Sequence, residues 1–338
     1  MATIRDIAKR ANVAVSTVSA VINQSAPVSQ AVVARVEKAI RETGYTPNVA
    51  ARSLRSGDSR LIGLVVPDIS NPFFSAIARI IETRSLAAGY MSFVYNTDED
   101  PRREEKILRM MHMQRVAGLI LTPTESSAQH GAKLAKHLKV PTILLDRHVQ
   151  DADFEKVVLD NRHAALMAAD YLLRLGHRRI AIIAGREGVS SADERLEGCR
   201  QAFENHKAAW NPARVLRGDY NQAQALSVTQ RVMSSPDRPT AVLAFNNVMT
   251  IGILRGLHSL GLSCPKDVSI IGIDDFDWAD AVQPRLTVVA QPVAEMAERA
   301  IERLLAQLGG EPPREDRWHV FEPVLVARES CIRTDPGV

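Results

Sequence analysis

Apolar residues in the first part of the chain recur at helical spacing. Ile4, Ile7, Ala8 and Ala11 share one face after Thr3, and Asp6 stands three residues beyond that threonine, a capping box with Asp in place of Glu. Asn12 breaks this segment. Val15, Val18 and Ile22 then mark a second short helix closed by Asn23. Ser29 is placed to cap a third, with Val33, Val36 and Ile40 inward and Gly44 as its stop. Three short helices, the first two joined by a tight turn, fit a helix-turn-helix. The stretch TPNVAARSLRSG, from Thr46 to Gly57, follows. Asn48 can cap a helix there and Gly57 can end it, but a helix this short is marginal in water.

From Leu61 the pattern changes to strands alternating with helices. LIGLVVPDI is an apolar run of the kind a buried parallel strand needs, FFSAIARIIETRSLAAG is an amphipathic helix stopped by Gly89, and strand-like MSFVYNT follows. PRREEKILRMMHMQR has Pro101 near a helix start, and VAGLILTP and PTILLDR complete four strand-helix steps. A second set begins near Asn161, with strands RIAIIAG, AVLAFN and VSIIGIDD separated by helices around 193–207, 222–234 and 248–260. LTVVAQP, a helix near 293–308 and VFEPVLVARES close the pattern. Repeated βαβ units predict parallel sheets covered by helices, and two such sets predict two similar lobes.

Composition changes this picture little. The 338 residues suffice for two or three domains, and 46% hydrophobic with 24% charged residues is ordinary for a globular protein. The start, MATIRDIAKR, lacks an apolar signal core and no apolar run reaches ~18 residues, so a cytoplasmic protein without a membrane span is expected. Cys199, Cys264 and Cys331 are few and widely spaced, which reads as buried thiols and makes no metal pattern.

Charge matters more. Residues 1–60 hold nine Lys/Arg against four Asp/Glu, a balance of +5, which leaves −2 for the rest of the overall +3. A small basic head on a slightly acidic body points to a polyanionic partner for the head.

ATIRDIAKRANVAVSTVSAVIN and GYTPNVAARSL resemble the DNA-binding head and hinge of the lactose/galactose-repressor (LacI/GalR) family of bacterial transcription regulators, and the likeness continues to about Ser330. The resemblance implies a helix-turn-helix domain over 1–46, a hinge helix and linker over 47–60, and a two-lobed, periplasmic-binding-protein-like α/β body over 61–330. The N-lobe is expected at about 61–160 and 292–322, the C-lobe at about 161–291 and 323–330. It places the second helix in the major groove of duplex DNA, with Val15, Ser16 and Ala20 at base-reading positions. Thr17 and Ser19 are suited to backbone contacts, and Thr3 and Asn23 complete the head's DNA-binding set. Two departures stand out. Ala14 replaces the usual Ser at the start of this helix, and loss of an N-cap costs about 1 kcal/mol. Ala20 stands where Arg or His is common; alanine can touch a thymine methyl but cannot make the bidentate contact of Arg to guanine.

In the hinge the resemblance makes Leu54 the apolar wedge at the central base step of the minor groove, with Ala51 beside it and Arg52 and Arg55 near the backbone. The weakness of so short a helix then serves as a switch, formed only on DNA with a second subunit. No leucine heptads follow the body, so a homodimer is expected.

Ligands of parallel α/β sheets bind beyond the strand C-termini. Those ends offer Asn71, Phe73 and Phe74 in PDISNPFF, the pair Asp146–Arg147, Arg195, Tyr220, Asn246, Asp274 and Gln291. Aromatic faces suit the apolar face of a sugar ring, and Asp, Asn, Arg and Gln can divide its hydroxyls as acceptors and donors. By resemblance these are effector positions, and Asp146–Arg147 suggests a sugar or sugar acid over a purine. Taken singly, each has a plainer reading, such as core for the phenylalanines or a helix cap for Asp274 or Asp275. Asn247 stands where the family usually has Asp. No nucleophile triad, metal-ligand spacing or Gly-rich phosphate loop is present, so neither catalysis nor a metal or other cofactor is expected. His177, in LGHRRI, matches a structural turn. The competing functions are a cytosolic sugar-binding protein and a sugar-acting α/β enzyme.

Overall fold

Thr3 starts the first helix, α1 (Ile4–Ala11): its Oγ1 accepts from the Asp6 N–H, and the Asp6 carboxylate accepts in return from the Thr3 N–H at 2.8 Å. Asn12, at φ 51°, ends α1 in the left-handed conformation that asparagine tolerates. Next come α2 (Val15–Asn23) and α3 (Gln30–Thr43), which stops at Gly44 with φ 61°. Ile7, Ala8, Ala11, Val18, Val36 and Ala39 form the small core. Two details differ from the sequence reading. Ser29 sits at the α3 N-cap without a side-chain cap bond. Val32 packs on the core with Val36, Ala39 and Ile40, and Val33 does not. The spacing 32, 36, 39, 40 is a continuous helical stripe, and residue 33 lies beside it.

The computed structural model describes residues 2–23, 26–45 and 59–334. It divides into two compact units, Met1–Ser59 and Arg60–Val338. The hinge positions Ala51, Arg52, Leu54 and Arg55 lie outside the described residues.

The second unit holds two six-stranded sheets. One runs in the order β11 (Trp318–Phe321), β5 (Glu155–Leu159), β4 (Thr142–Leu145), β3 (Gly118–Leu121), β1 (Leu61–Val66), β2 (Met91–Asn96), all parallel. The other runs β12 (Val324–Val326), β10 (Thr287–Ala290), β9 (Ser269–Ile273), β8 (Ala241–Ala244), β6 (Ile180–Ala184), β7 (Val215–Arg217), parallel except that β12 is antiparallel to β10. Every residue of β3, β4, β6, β8 and β9 is buried, as a sheet covered on both faces requires. Helices α4 (Pro72–Ala87), α5 (Pro101–Met113), α6 (Ala128–His137) and α11 (Val293–Leu308) belong with the first sheet. Helices α7 (Asn161–Arg174), α8 (Ser190–Asn205), α9 (Gln222–Met233) and α10 (Asn247–Ser259) belong with the second. The chain passes between the sheets three times: from β5 to α7, from β10 to α11, and from β11 to β12. Among the described residues no helix is long and apolar enough to cross a membrane.

Sequence pattern missed β5 and β7. The first begins Glu155–Lys156, which breaks the apolar run. Glu155 is nevertheless 1% exposed, because Arg303 (2.8 Å), His319 (3.0 Å) and Gln307 (2.5 Å) bond its carboxylate. Burial opposes its charge, but these partners outweigh burial and hold its pKa below the usual carboxylate value. The closing segment, read as one stretch, divides at Glu322–Pro323 between the two sheets.

Candidate functional site

In the head, Val15 is 38% exposed and Ser16 is exposed at the start of α2, while Val18 of the same helix is fully buried. Thr3 is also exposed, Thr17, Ser19 and Ala20 are half-buried, and Asn23 is the last residue of α2. Ala14 occupies the capping position, its carbonyl accepting from the Val18 N–H at 3.1 Å. One turn of α2 thus divides between core and surface, as a recognition helix must to hold its angle while offering side chains to a groove.

In the body, the ten effector candidates read from the strand ends line one cavity of about 410 Å³. Such a volume suits a small metabolite. Asn71 caps α4, its Oδ1 accepting from the Phe73 N–H at 3.0 Å. Pro72 at the first helical position presets φ. Phe73 and Phe74 meet edge to face with centroids 5.0 Å apart. Asp146 and Arg147 follow β4, Asp146 at φ 67°. Burial pushes the Asp146 carboxyl up to about 6, against the pull of Arg147 and Arg195. Arg147, 3% exposed, makes a two-pronged pair with Glu99 at 2.8 and 2.6 Å and lies over the Tyr220 ring at 5.1 Å. Burial disfavours its charge, yet Glu99 overcomes this and raises its pKa.

Arg195 projects from α8, donating to Asn161 Oδ1 at 2.8 Å and to the Phe245 carbonyl. Gly198, one turn on, permits this placement: a Cβ there would strike the Arg162 carbonyl of α7. Gly185 has the same relation to Tyr220, whose ring occupies the space a side chain would need. The Tyr220 hydroxyl pairs with Ser191 Oγ at 3.2 Å. Asn246 caps α10 by accepting from the Met249 N–H at 2.9 Å. Asp274, at φ 81°, accepts from Gln291 Nε2 at 2.5 Å and from the Asn247 N–H at 3.4 Å. Burial raises its pKa, against Arg195 and Gln291. Asp275 instead takes Arg328 in two bonds, at 3.0 and 2.8 Å. Two buried polar atoms on the lining lack partners: the donor Arg147 Nε and the acceptor Gln291 Oε1.

Sequence reading missed part of the lining, notably Asp68, Asp98, Glu99, Ser191 and Asp219. Asp98 and Glu99 follow β2 in YNTDEDP, so the strand-end rule applied to that segment as well would have found them. Direct bonds also join the two sheets' loops. Asn247 Nδ2 donates to Asn71 Oδ1 at 2.9 Å, His148 Nε2 meets Glu194 at 2.7 Å, the Ser126 N–H donates to the Gly188 carbonyl at 2.9 Å, and Arg186 donates to the Glu99 carbonyl. His177 is buried, its ring bonded to Thr240 and the Ile332 carbonyl, a structural role.

Comparison with known proteins bears on both regions. A family model described as bacterial regulatory proteins, lacI family, matches residues 3–48, and one described as a periplasmic binding protein-like domain matches residues 169–331. The HTH-type transcriptional repressor PurR of Aliivibrio fischeri is 31% identical over 334 residues, covering 98% of this chain and 99% of the relative. The ribose operon repressor of Escherichia coli K12 is 33% identical over 331 residues, covering 98% and 100%. Among solved structures, the lac repressor dimer bound to operator and the anti-inducer ONPF superimposes with a TM-score of 0.86 at 26% identity, over 98% of this chain and 99% of that one. A complex of the transcriptional regulator CelR with cellobiose gives a TM-score of 0.73 at 27% identity, over 98% and 100%.

Proposed function

This chain belongs to the lacI family of bacterial regulatory proteins and is a transcriptional repressor of that kind, not an enzyme; from that premise we propose that it acts in the cytoplasm as a homodimer on a palindromic operator, with a sugar or sugar-acid effector in the cleft of its body. The observation that carries the effector reading is the cavity lining. Phe73, Phe74 and Tyr220 offer aromatic surface, while Asp146, Asn246 and Asp274 offer oxygen acceptors. The unpartnered Arg147 Nε needs an acceptor and Gln291 Oε1 needs a donor. A hydroxyl group is both, and vicinal hydroxyls on a ring supply several at fixed spacing. The likeness to a ribose operon repressor makes a pentose the first candidate.

On DNA, Val15, Ser16 and Ala20 read base edges, with Thr3, Thr17, Ser19 and Asn23 positioning the helix. Leu54, beside Ala51, is the wedge that bends the central step, with Arg52 and Arg55 at the backbone. Effector binding shifts the arrangement of the lobes, and the hinge pair follows. A ligand can move such an equilibrium only by its differential affinity for the two arrangements.

A thermal-shift screen of sugars, sugar acids, polyols and nucleobases identifies the effector, since a ligand at 100 times its Kd adds about 2.7 kcal/mol of stability. Calorimetry with and without operator then tests the regulator mechanism. Linkage requires operator to change effector affinity by the factor with which effector changes operator affinity. Equal effector affinity in the two titrations would sink the proposal.

A further inference from the structure

We infer that the cleft selects an uncharged ligand, and that Glu99 enforces this choice by occupying Arg147, the guanidinium that would otherwise receive a phosphate or carboxylate. The inference rests on reading the cleft as a sugar or sugar-acid site, and decides between the two. Six carboxylates line the cavity, those of Asp68, Asp98, Glu99, Asp146, Asp219 and Asp274, against two guanidiniums, Arg147 and Arg195.

Neither guanidinium offers an open two-pronged edge. Both terminal nitrogens of Arg147 are held by Glu99 at 2.8 and 2.6 Å, and Nη1 also reaches the Pro123 carbonyl at 3.3 Å. Only its Nε is left, a single donor with the Asp146 carboxylate 3.6 Å away. Arg195 has Nε committed to Asn161 and Nη1 to the Phe245 carbonyl. An entering phosphate would therefore have to displace Glu99 from Arg147 while facing the remaining carboxylates. A hydroxyl can accept from Arg147 Nε and donate to Gln291 Oε1 or a carboxylate, and demands no such displacement.

Glu99 is itself held from two sides. Asp98 and Glu99 sit in succession at φ 52° and 57°, which turns the chain sharply after β2. Arg186, from the loop after β6, donates to the Glu99 carbonyl and has its Nη1 4.0 Å from the Glu99 carboxylate. The residue that neutralises Arg147 is thus fixed by both sheets' loops.

The test compares ligands matched except in charge: D-ribose, D-ribonate and D-ribose 5-phosphate, titrated into the full-length protein and its Glu99→Gln variant. Juxtaposed like charges cost several kcal/mol, so the wild type should bind both anions at least ~100-fold more weakly than ribose. In Glu99→Gln the gap should narrow by at least ~10-fold. Wild-type protein that binds either anion as tightly as ribose overturns the inference, and this arm needs no variant to fold.

If no neutral sugar binds, the sugar reading fails separately, and inorganic phosphate carries the decision. Its readout is the part of the thermal shift lost on a further Arg147→Ala change, which sets aside any binding at the basic head. The charge filter requires no such part in the wild type and a clear one in Glu99→Gln. Arg147-dependent stabilisation of the wild type, or none in a folded Glu99→Gln, refutes it. Arg186→Ala, which keeps the Glu99–Arg147 pair, should still reject phosphate.

Discussion

Asn247 links the two halves of the body through one short contact, and changing it to aspartate should open the cleft. Its side chain is 1% exposed, and Nδ2 donates to Asn71 Oδ1 at 2.9 Å, joining the first turn of α10 to the cap of α4. Asn247→Asp replaces that donor with an acceptor. The lost bond is worth about 1 kcal/mol, and the buried carboxylate oxygen now facing an acceptor costs about 1–3 kcal/mol more. Asp274, which accepts from the Asn247 N–H, adds like charge nearby. In the opposite sense, a carboxylate in the first turn of a helix gains about 0.3–1 kcal/mol. That gain persists when the lobes part and water solvates the group, so it does not defend the closed arrangement.

The net penalty on closure is about 2–3 kcal/mol, or roughly 30- to 150-fold in the affinity of an effector that needs both lobes. Asn247→Ala, which only deletes the bond, should cost about fivefold. Calorimetry with the screened effector reads the affinity, and small-angle scattering without effector reads the opening as a larger radius of gyration. An aspartate variant with affinity within about twofold of wild type and unchanged scattering would show that this bond holds no closure energy.

Three further outcomes follow from the geometry. Gly198→Ala should lower stability by about 1–3 kcal/mol through the clash with the Arg162 carbonyl, a fall of several degrees in melting temperature, and should weaken effector binding because Arg195 moves with α8; an unchanged melting curve would mean α7 and α8 can separate freely. Asp146 should make effector affinity fall as pH drops from 7 to 5, because its carboxyl, raised to about 6, loses the charge that accepts a hydroxyl; Asp146→Asn should be weak and flatter over that range. The stability sign is the reverse: between the unfolded value near 3.9 and the folded value of about 6 the native state binds the extra proton, so this group's contribution to the effector-free protein declines as pH rises through that window. Leu54→Ala should reduce operator affinity and DNA bending in a gel-phasing assay while sparing nonspecific binding; normal bending would refute the wedge.

The sequence by itself determined what is local or periodic. The capping box at Thr3 and Asp6, the left-handed stop at Gly44, and the apolar strands β3, β4 and β9 each depend on neighbours within a turn or on burial of both faces. The same logic reached ten side chains of one cavity, because parallel strands point their C-terminal ends to one edge of a sheet. Tertiary structure decided what depends on partners distant in the chain. Glu155 lies in a buried strand only because Arg303, Gln307 and His319 arrive from 148 or more residues away. Arg147 is free or occupied according to where Glu99, 48 residues earlier, is turned. Asn247 is a helix-start residue in sequence and a tie between lobes only because Asn71, 176 residues distant, meets it across the cleft. Residue type and spacing state what a side chain can offer; its partner, and therefore its remaining capacity to bind a ligand, is set by which loops the two sheets bring together.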